Sequence, residues 1–369
     1  MFEPRSLAGD GSPDSAVDPS ETSVDPPGPE HSGPGGHPGS ATTGRSLTLA
    51  LWTLRAGPAL MLVALVVAAS LSTPLFMTTG NIGNVLDASA VIAVLAIGQL
   101  LVILTRGIDL SVGSTLALAT VLGALVFQDG HGGPLVIGAM LATGLAVGTI
   151  NGLIFVYGRV PHPFIVTLAT LSVARGLALL LSDGRPKFGM PDSVVYIGGK
   201  SIDWFPHSAF VVAALAGIAT LLLAKLVWGR WIYAVGGNPE AARRTGIPRD
   251  GVIVSVYVLS GLAAGVAAVI TAGRTASGSP NFGSLAELDA IAAVIIGGAA
   301  FAGGRGHVGN ALIGAFMIGV IRNVLNLQNV DAFYQMIVIG LVILAAVEAD
   351  VIRGRVEERF RVRRGEQLA

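Results

Sequence analysis

The sequence predicts an all-α, polytopic membrane protein with about ten transmembrane helices and both termini cytoplasmic. Three observations carry this expectation. Only 12% of the 369 residues are charged, about half the share that covers an ordinary soluble domain. The mean hydropathy is +0.70. Long apolar runs recur at about 56–73, 85–105, 110–128, 134–157, 162–182, 208–228, 251–273, 288–303, 307–325 and 333–349. Crossing a hydrocarbon core about 30 Å thick takes roughly 20 apolar residues, because a helix rises about 1.5 Å per residue.

In chain order, residues 1–45 come first and are unlike the rest. They hold 8 of the 19 prolines and 8 of the 50 glycines, with a net charge of −5 against +5 for the remainder. Such a stretch cannot bury a core and lacks the basic start and apolar run of a secretory signal, so it reads as a disordered, Pro/Gly-rich cytoplasmic tail. A transmembrane domain follows over 46–352, with a cytoplasmic loop at 229–250, and 353–369 form a basic cytoplasmic tail.

Several of the apolar runs are hydrophobic all round, as helices facing lipid or other helices should be. Small residues such as Gly261, Ala264 and Gly265 let such helices approach closely. The third and the eighth to tenth runs are short, Gly-broken or polar at their ends, and one of them is short enough to be re-entrant. With the N-terminus inside and ten crossings, 17 of the 23 basic residues fall on the inner side, in line with the positive-inside rule. Arg175 is left within a span.

Three stretches are polar where the apolar pattern does not require it. The first, Thr105 to Ser114, contains Arg106, Gly107, Asp109, Ser111 and Gly113. Asp109, Ser111 and Ser114 are residue types that cap a following helix through their side-chain oxygens. An ionisable pair at a membrane face also marks a conformational joint or a pathway. The second stretch, 229–248, reads as a two-turn amphipathic helix. Asn238 suits the N-cap and Pro239 the first helical position. Glu240 suits the first turn, Arg243 and Arg244 come later, and Gly246 ends the helix before Pro248. A helix this short is marginal in water without something to receive it, although a charged connector has the same composition. The third stretch includes Glu287, Asp289, and Gly303 to Gly309, whose Gly304, Gly306 and Gly309 match G-x-G-x-x-G. With no strand before them, a tight turn between spans is the better reading than a dinucleotide site.

Polar residues inside the runs, namely Gln99, Asn151, Thr167, Asn323 and Asn326, are candidates for a substrate pathway, and helix-packing hydrogen bonds explain each equally well. The chain has no P-loop and no cysteine, and its six histidines form no H-x-x-x-H pattern. No catalytic residue, metal ligand or cofactor is therefore expected, and no nucleic-acid partner. An enzyme is not expected.

These motifs, in this order and spacing, resemble the permease subunit of ribose-type sugar ABC importers, a bacterial inner-membrane family. The resemblance spans about 55–350 and rests on five pieces: Gly107-Ile108-Asp109-Leu110-Ser111-Val112-Gly113; Gly236-Gly237-Asn238 leading into Glu240-Ala241-Ala242 with Gly246; Glu287-Leu288-Asp289-Ala290; Gly303-Gly304-Arg305-Gly306; and Asn326-Leu327 with Tyr334-Gln335. It implies that Asn238, Glu240, Ala241, Ala242, Arg243, Arg244 and Gly246 couple the chain to an ATPase. It also implies a permease homodimer or heterodimer, two ATP-binding subunits that carry ATP and Mg, and an extracellular solute-binding protein that delivers a pentose or hexose. The same machinery could carry branched-chain amino acids, nucleosides, autoinducer-type compounds or a cyclitol. A self-sufficient secondary transporter is the reading from another class. The arginine-rich end would rest on anionic membrane lipid.

Overall fold

The structure is a computed structural model that describes residues 57–366, with the backbone alone for 349–350 and 352–366. The leader at 1–45 lies outside the described residues. Thirteen helices follow in the described chain. They are α1 Gly57–Ser72, α2 Thr79–Leu104, α3 Val112–Gln128, α4 Gly133–Tyr157, α5 Pro163–Ser182, α6 Asp192–Gly199, α7 His207–Lys225, α8 Val227–Gly237, α9 Pro239–Arg244, α10 Arg249–Thr275, α11 Ala286–Ile296, α12 Val308–Leu327 and α13 Ala332–Glu366. Four two-residue strands form two small antiparallel ribbons. β1 (Lys187–Phe188) pairs with β4 (Ser277–Gly278), and β2 (Ser201–Ile202) with β3 (Phe205–Pro206).

Every one of the ten apolar runs contains a helix. Six of these helices, α2, α4, α5, α7, α10 and α12, are long and apolar enough to cross a bilayer by themselves, while α1, α3 and the start of α13 are apolar but shorter. The run expected at 288–303 is not one helix. α11 has 11 residues, about 16 Å of rise, and the chain turns after it through Gly298, Gly303 and Gly304, all at positive φ. Those glycines and alanines count as apolar in composition, yet they serve a turn. The backbone of α13 continues through Glu366.

Two central helices hold the bundle together. α2 is buried on all sides from Ser89 to Leu104, packed by α7, α10, α11 and α12. α10 packs against α2, α3, α4 and α6. Its contact with α4 is a backbone-to-backbone approach: a Cβ on Gly148 would strike the Tyr257 carbonyl, and one on Gly144 that of Gly261. Close approach of this kind replaces the hydrophobic drive that lipid removes.

The bundle has two distinguishable ends. At one, Gly236, Gly304 and the Leu104 carbonyl meet. At the other, Gly198 of α6 packs on Gly273 of α10, and Asp87 accepts from Ser208 at 3.0 Å and pairs with Arg274 at 3.0 Å.

Gly148→Ala should separate α4 from α10 and cost about 1–3 kcal/mol, as overpacking does. Gly138→Ala on the open face of the same helix, where a Cβ meets nothing, should cost nothing. Thermal unfolding in detergent checks the pair: the first variant melts lower, the second does not.

Candidate functional site

The helix expected in the second polar stretch is present as α9. The Asn238 side chain accepts from the Ala241 amide at 3.0 Å, Pro239 opens the helix, and Arg243 and Arg244 close it. Gly246 adopts φ +80°. Its amide donates to Arg243 and the Ile247 amide to Ala242, each at 3.1 Å, the arrangement that satisfies terminal carbonyls when a left-handed residue follows a helix. Ala242 is buried and anchors the helix, whereas Glu240, Ala241, Arg243 and Arg244 face outward. The Glu240–Arg244 pair at 3.3 Å is largely exposed, so it adds little stability and leaves both charges free to meet a partner.

The first and second polar stretches are joined. Arg106 reaches the C-terminal end of α8, its Nε donating to the Gly236 carbonyl at 2.6 Å and its Nη2 to that of Gly237 at 2.7 Å. A cation there meets the negative end of the helix dipole, and the planar guanidinium serves two carbonyls at once. The third stretch closes the same joint. The Gly304 amide donates to the Leu104 carbonyl at 2.9 Å and the Tyr233 hydroxyl to that of Gly306 at 2.8 Å. Burial pushes the Tyr233 hydroxyl up from its ordinary value, which keeps it a proton donor. A Cβ on Gly236 would strike the Leu104 carbonyl, so only glycine fits. A cavity of about 180 Å³ lies between Thr105, Arg106, Val235, Pro239 and Tyr257, separating the base of α9 from the break.

Above this joint the chain runs as non-helical backbone to Asp109, which is 1% exposed. One carboxylate oxygen accepts from the Ser111 amide at 3.0 Å and hydroxyl at 2.7 Å, and the other from the Ser260 hydroxyl at 2.9 Å. Ser260 is the twelfth of the 27 residues of α10, which puts Asp109 at the mid-height of that helix. Oriented to satisfy both groups, the Gln99 amide donates to the Asp109 carbonyl at 3.1 Å and accepts from its amide at 3.2 Å. Asn151 donates to the Ser111 hydroxyl at 2.8 Å. The Ile108 carbonyl accepts from Thr167 at 3.3 Å and from Tyr257 at 3.4 Å. Both signature glycines are required by space: a Cβ on Gly107 would strike the Tyr257 hydroxyl and one on Gly113 the Gly283 carbonyl.

One expectation is corrected here. Asp109, Ser111 and Ser114 do not cap α3, whose N-cap residue Ser111 makes no capping bond. Asp109 ties α3 to α10 instead, and the Ser114 hydroxyl donates back to the Ser111 carbonyl. The polar pathway candidates each make hydrogen bonds to other parts of the bundle. Gln99, Asn151 and Thr167 are buried in the Asp109 network. Asn323 exchanges two hydrogen bonds with Asn81, at 3.0 and 2.8 Å. Asn326 is exposed but accepts from Gln335 at 2.8 Å. Buried amides must be paired, and these are paired with other helices.

Sequence reasoning missed Ser260, Tyr233 and the Arg106 contacts to Gly236 and Gly237. Ser260 had a signal as a hydroxyl in an apolar run, whereas the Arg106 contact joins residues 130 apart and has none. Among the described residues, no three His, Cys, Asp or Glu side chains converge as metal ligands. The site joins an outward-facing helix to a break at mid-bundle through hydrogen bonds.

A family model described as the permease component of branched-chain amino acid transport systems matches residues 81–347. The chain belongs to this permease family. It is a multi-pass membrane protein and a transport subunit. Its relatives include the ribose import permease of Escherichia coli (strain K12), 37% identical over 84% of this chain and 97% of the relative. That of Bacillus subtilis (strain 168) is 41% identical over 80% and 92%, and the D-allose transport permease of Escherichia coli (strain K12) is 37% identical over 78% and 89%. No solved structure gives a significant match.

Replacing Asp109 with leucine should strand the Ser111 and Ser260 donors and cost at least about 1–3 kcal/mol. Asp250→Asn, at the exposed start of α10, should cost nothing. Membrane abundance and detergent melting temperature of the two variants check this, with only the first expected to fall.

Proposed function

We propose that this permease is the membrane subunit of an ATP-driven importer for a small sugar, a pentose or hexose, handed over by an extracellular solute-binding protein. Two permease chains would enclose the route, and two ATP-binding subunits holding ATP and Mg would sit below. The relatives named for ribose and allose support the cargo. The family description, which names branched-chain amino acids, keeps those solutes as the second reading.

The observation that carries the proposal is the joint itself. α9 stands outward on one buried residue, and the end of α8 just before it is tied by Arg106 to the break that starts α3. Closure of the ATPases would push α9, and the displacement would pass through Gly236 and Gly237 to Arg106 and on to Asp109. Coupling of this kind needs packed elements with discrete arrangements rather than continuous deformation. The basic residues at the α9 end, among them Arg230, Arg243, Arg244 and Arg249, support a cytoplasmic placement in a bacterial inner membrane. In this arrangement the chain crosses ten times with both termini inside. The non-helical stretch 276–285 and α11 together make the eighth crossing.

In proteoliposomes the chain alone should take up no sugar, while the complex with its ATPase and binding protein should take up ribose in an ATP-dependent way. Glu240→Ala should leave assembly intact and lower uptake about tenfold, within the range of coupling free energies between linked sites. Sugar uptake by the chain alone would overturn the importer reading, and ATP-driven uptake of leucine but of no sugar would decide for the second cargo.

A further inference from the structure

The non-helical stretch that leads into α11 is unlike any other part of the bundle. It begins at β4, beside the midpoint of α3, where a Cβ on Gly278 would strike the Thr120 carbonyl and the Ser279 amide donates to the Thr120 hydroxyl at 3.3 Å. It ends beside the start of α3, where a Cβ on Gly283 would strike the Gly113 carbonyl. Thr120 and Gly113 are seven residues apart on one helix, so the chain descends about 10 Å along α3. Gly113 lies four residues beyond Asp109, itself at the mid-height of α10. The tip of the descent, Asn281 to Leu285, therefore stands inside the thickness of the bundle.

Its environment does not suit lipid. Backbone that is neither helix nor closed sheet has polar groups that hydrocarbon cannot satisfy, and it persists at such depth only against protein or water. One side of the stretch is covered by α3. On the other, Asn281, Ser284 and Leu285 are exposed. The Ser284 hydroxyl donates to the Asn281 carbonyl at 2.9 Å, and the Asn281 side-chain amide has no hydrogen bond among the described residues. Arg175 of α5 braces the stretch, its Nη1 donating to the Pro280 carbonyl and, at 2.9 Å, to that of Phe282. An arginine in mid-span is costly beside lipid and marks an aqueous pathway or a paired site. Here it is paired in part, because the Glu287 carboxylate acts on it electrostatically.

We infer that the tip of this descent, Asn281 to Leu285 braced by Arg175, is a water-facing wall of the translocation route. Asn281 and Ser284 are the groups that a passing solute meets there. The inference rests on the importer reading and sharpens it, because the wall offers a neutral amide and a hydroxyl while its one cation is engaged with backbone carbonyls. Such a surface suits an uncharged polyhydroxyl solute better than a zwitterion, whose two charges would lose hydration without a partner.

The chain has no cysteine, so Asn281→Cys and Ser284→Cys each introduce a single thiol. The test uses the complete transporter in membranes, treated with a charged, membrane-impermeant methanethiosulfonate from the side opposite α9. Leu221→Cys on the exposed apolar face of α7 serves as the control. Both tip thiols should react about tenfold faster than the control or more, since the exchange needs a hydrated thiolate, and their modification should abolish sugar uptake. Reaction as slow as at Leu221→Cys would mean that lipid or a second copy covers the tip. Modification without loss of uptake would mean that it lines no route. Either result overturns the inference. Absence of sugar uptake by the unmodified complex would instead overturn the importer reading, and the labelling rates would still decide whether the tip faces water.

Discussion

The two hydrogen bonds from Arg106 to the last carbonyls of α8 organise the rest of the site. Arg106 sits at φ +67°, a left-handed conformation that costs a non-glycine residue about 1–3 kcal/mol and persists only where the surroundings enforce it. The enforcement is visible. The guanidinium is held by Gly236 and Gly237, the Leu104 carbonyl two residues back is taken by the Gly304 amide, and Gly236 has no side chain to keep these backbones apart. The two hydrogen bonds to the α8 terminus hold Arg106 in this conformation.

Asp109 is the second fixed point of the proposed lever. Every donor around its carboxylate is neutral and comes from a different part of the fold: Ser111 at the start of α3 and Ser260 from the middle of α10, while Gln99 of α2 clasps its backbone. The Asp109 carboxylate has a donor on each oxygen, and breaking either bond strands a buried partner. Between Arg106 and Asp109 only Gly107 and Ile108 intervene, in non-helical backbone. Gly113 then lies against Gly283, so the same lever reaches the descent into α11.

What the sequence made legible was local. The run from Asn238 to Gly246 declared α9 because capping, proline placement and the terminal glycine act within a few residues. Arg106 and Asp109 drew notice because charges interrupt an apolar run. What stayed hidden was contact between distant segments. Nothing in the neighbourhood of Arg106 points to Gly236. The amides of Gln99, Asn151 and Asn323 looked like pathway groups because their partners lie on other helices. The stretch at 288–303 misled for a different reason: glycine and alanine are apolar by composition but allow a chain to turn, so hydropathy alone joined a half-length helix to the turn after it.

The central claim is that displacement at α9 reaches the bundle through Arg106. Arg106→Lys keeps the charge but loses the planar fork, and Arg106→Met keeps much of the length and loses both. The decisive measurement is the ratio of sugar taken up to ATP hydrolysed in proteoliposomes holding the complete transporter, with equal assembly of each variant verified first. If Arg106 transmits the stroke, hydrolysis continues in both variants while the ratio falls, further in methionine than in lysine. An unchanged ratio in Arg106→Met, at normal assembly, would contradict the account.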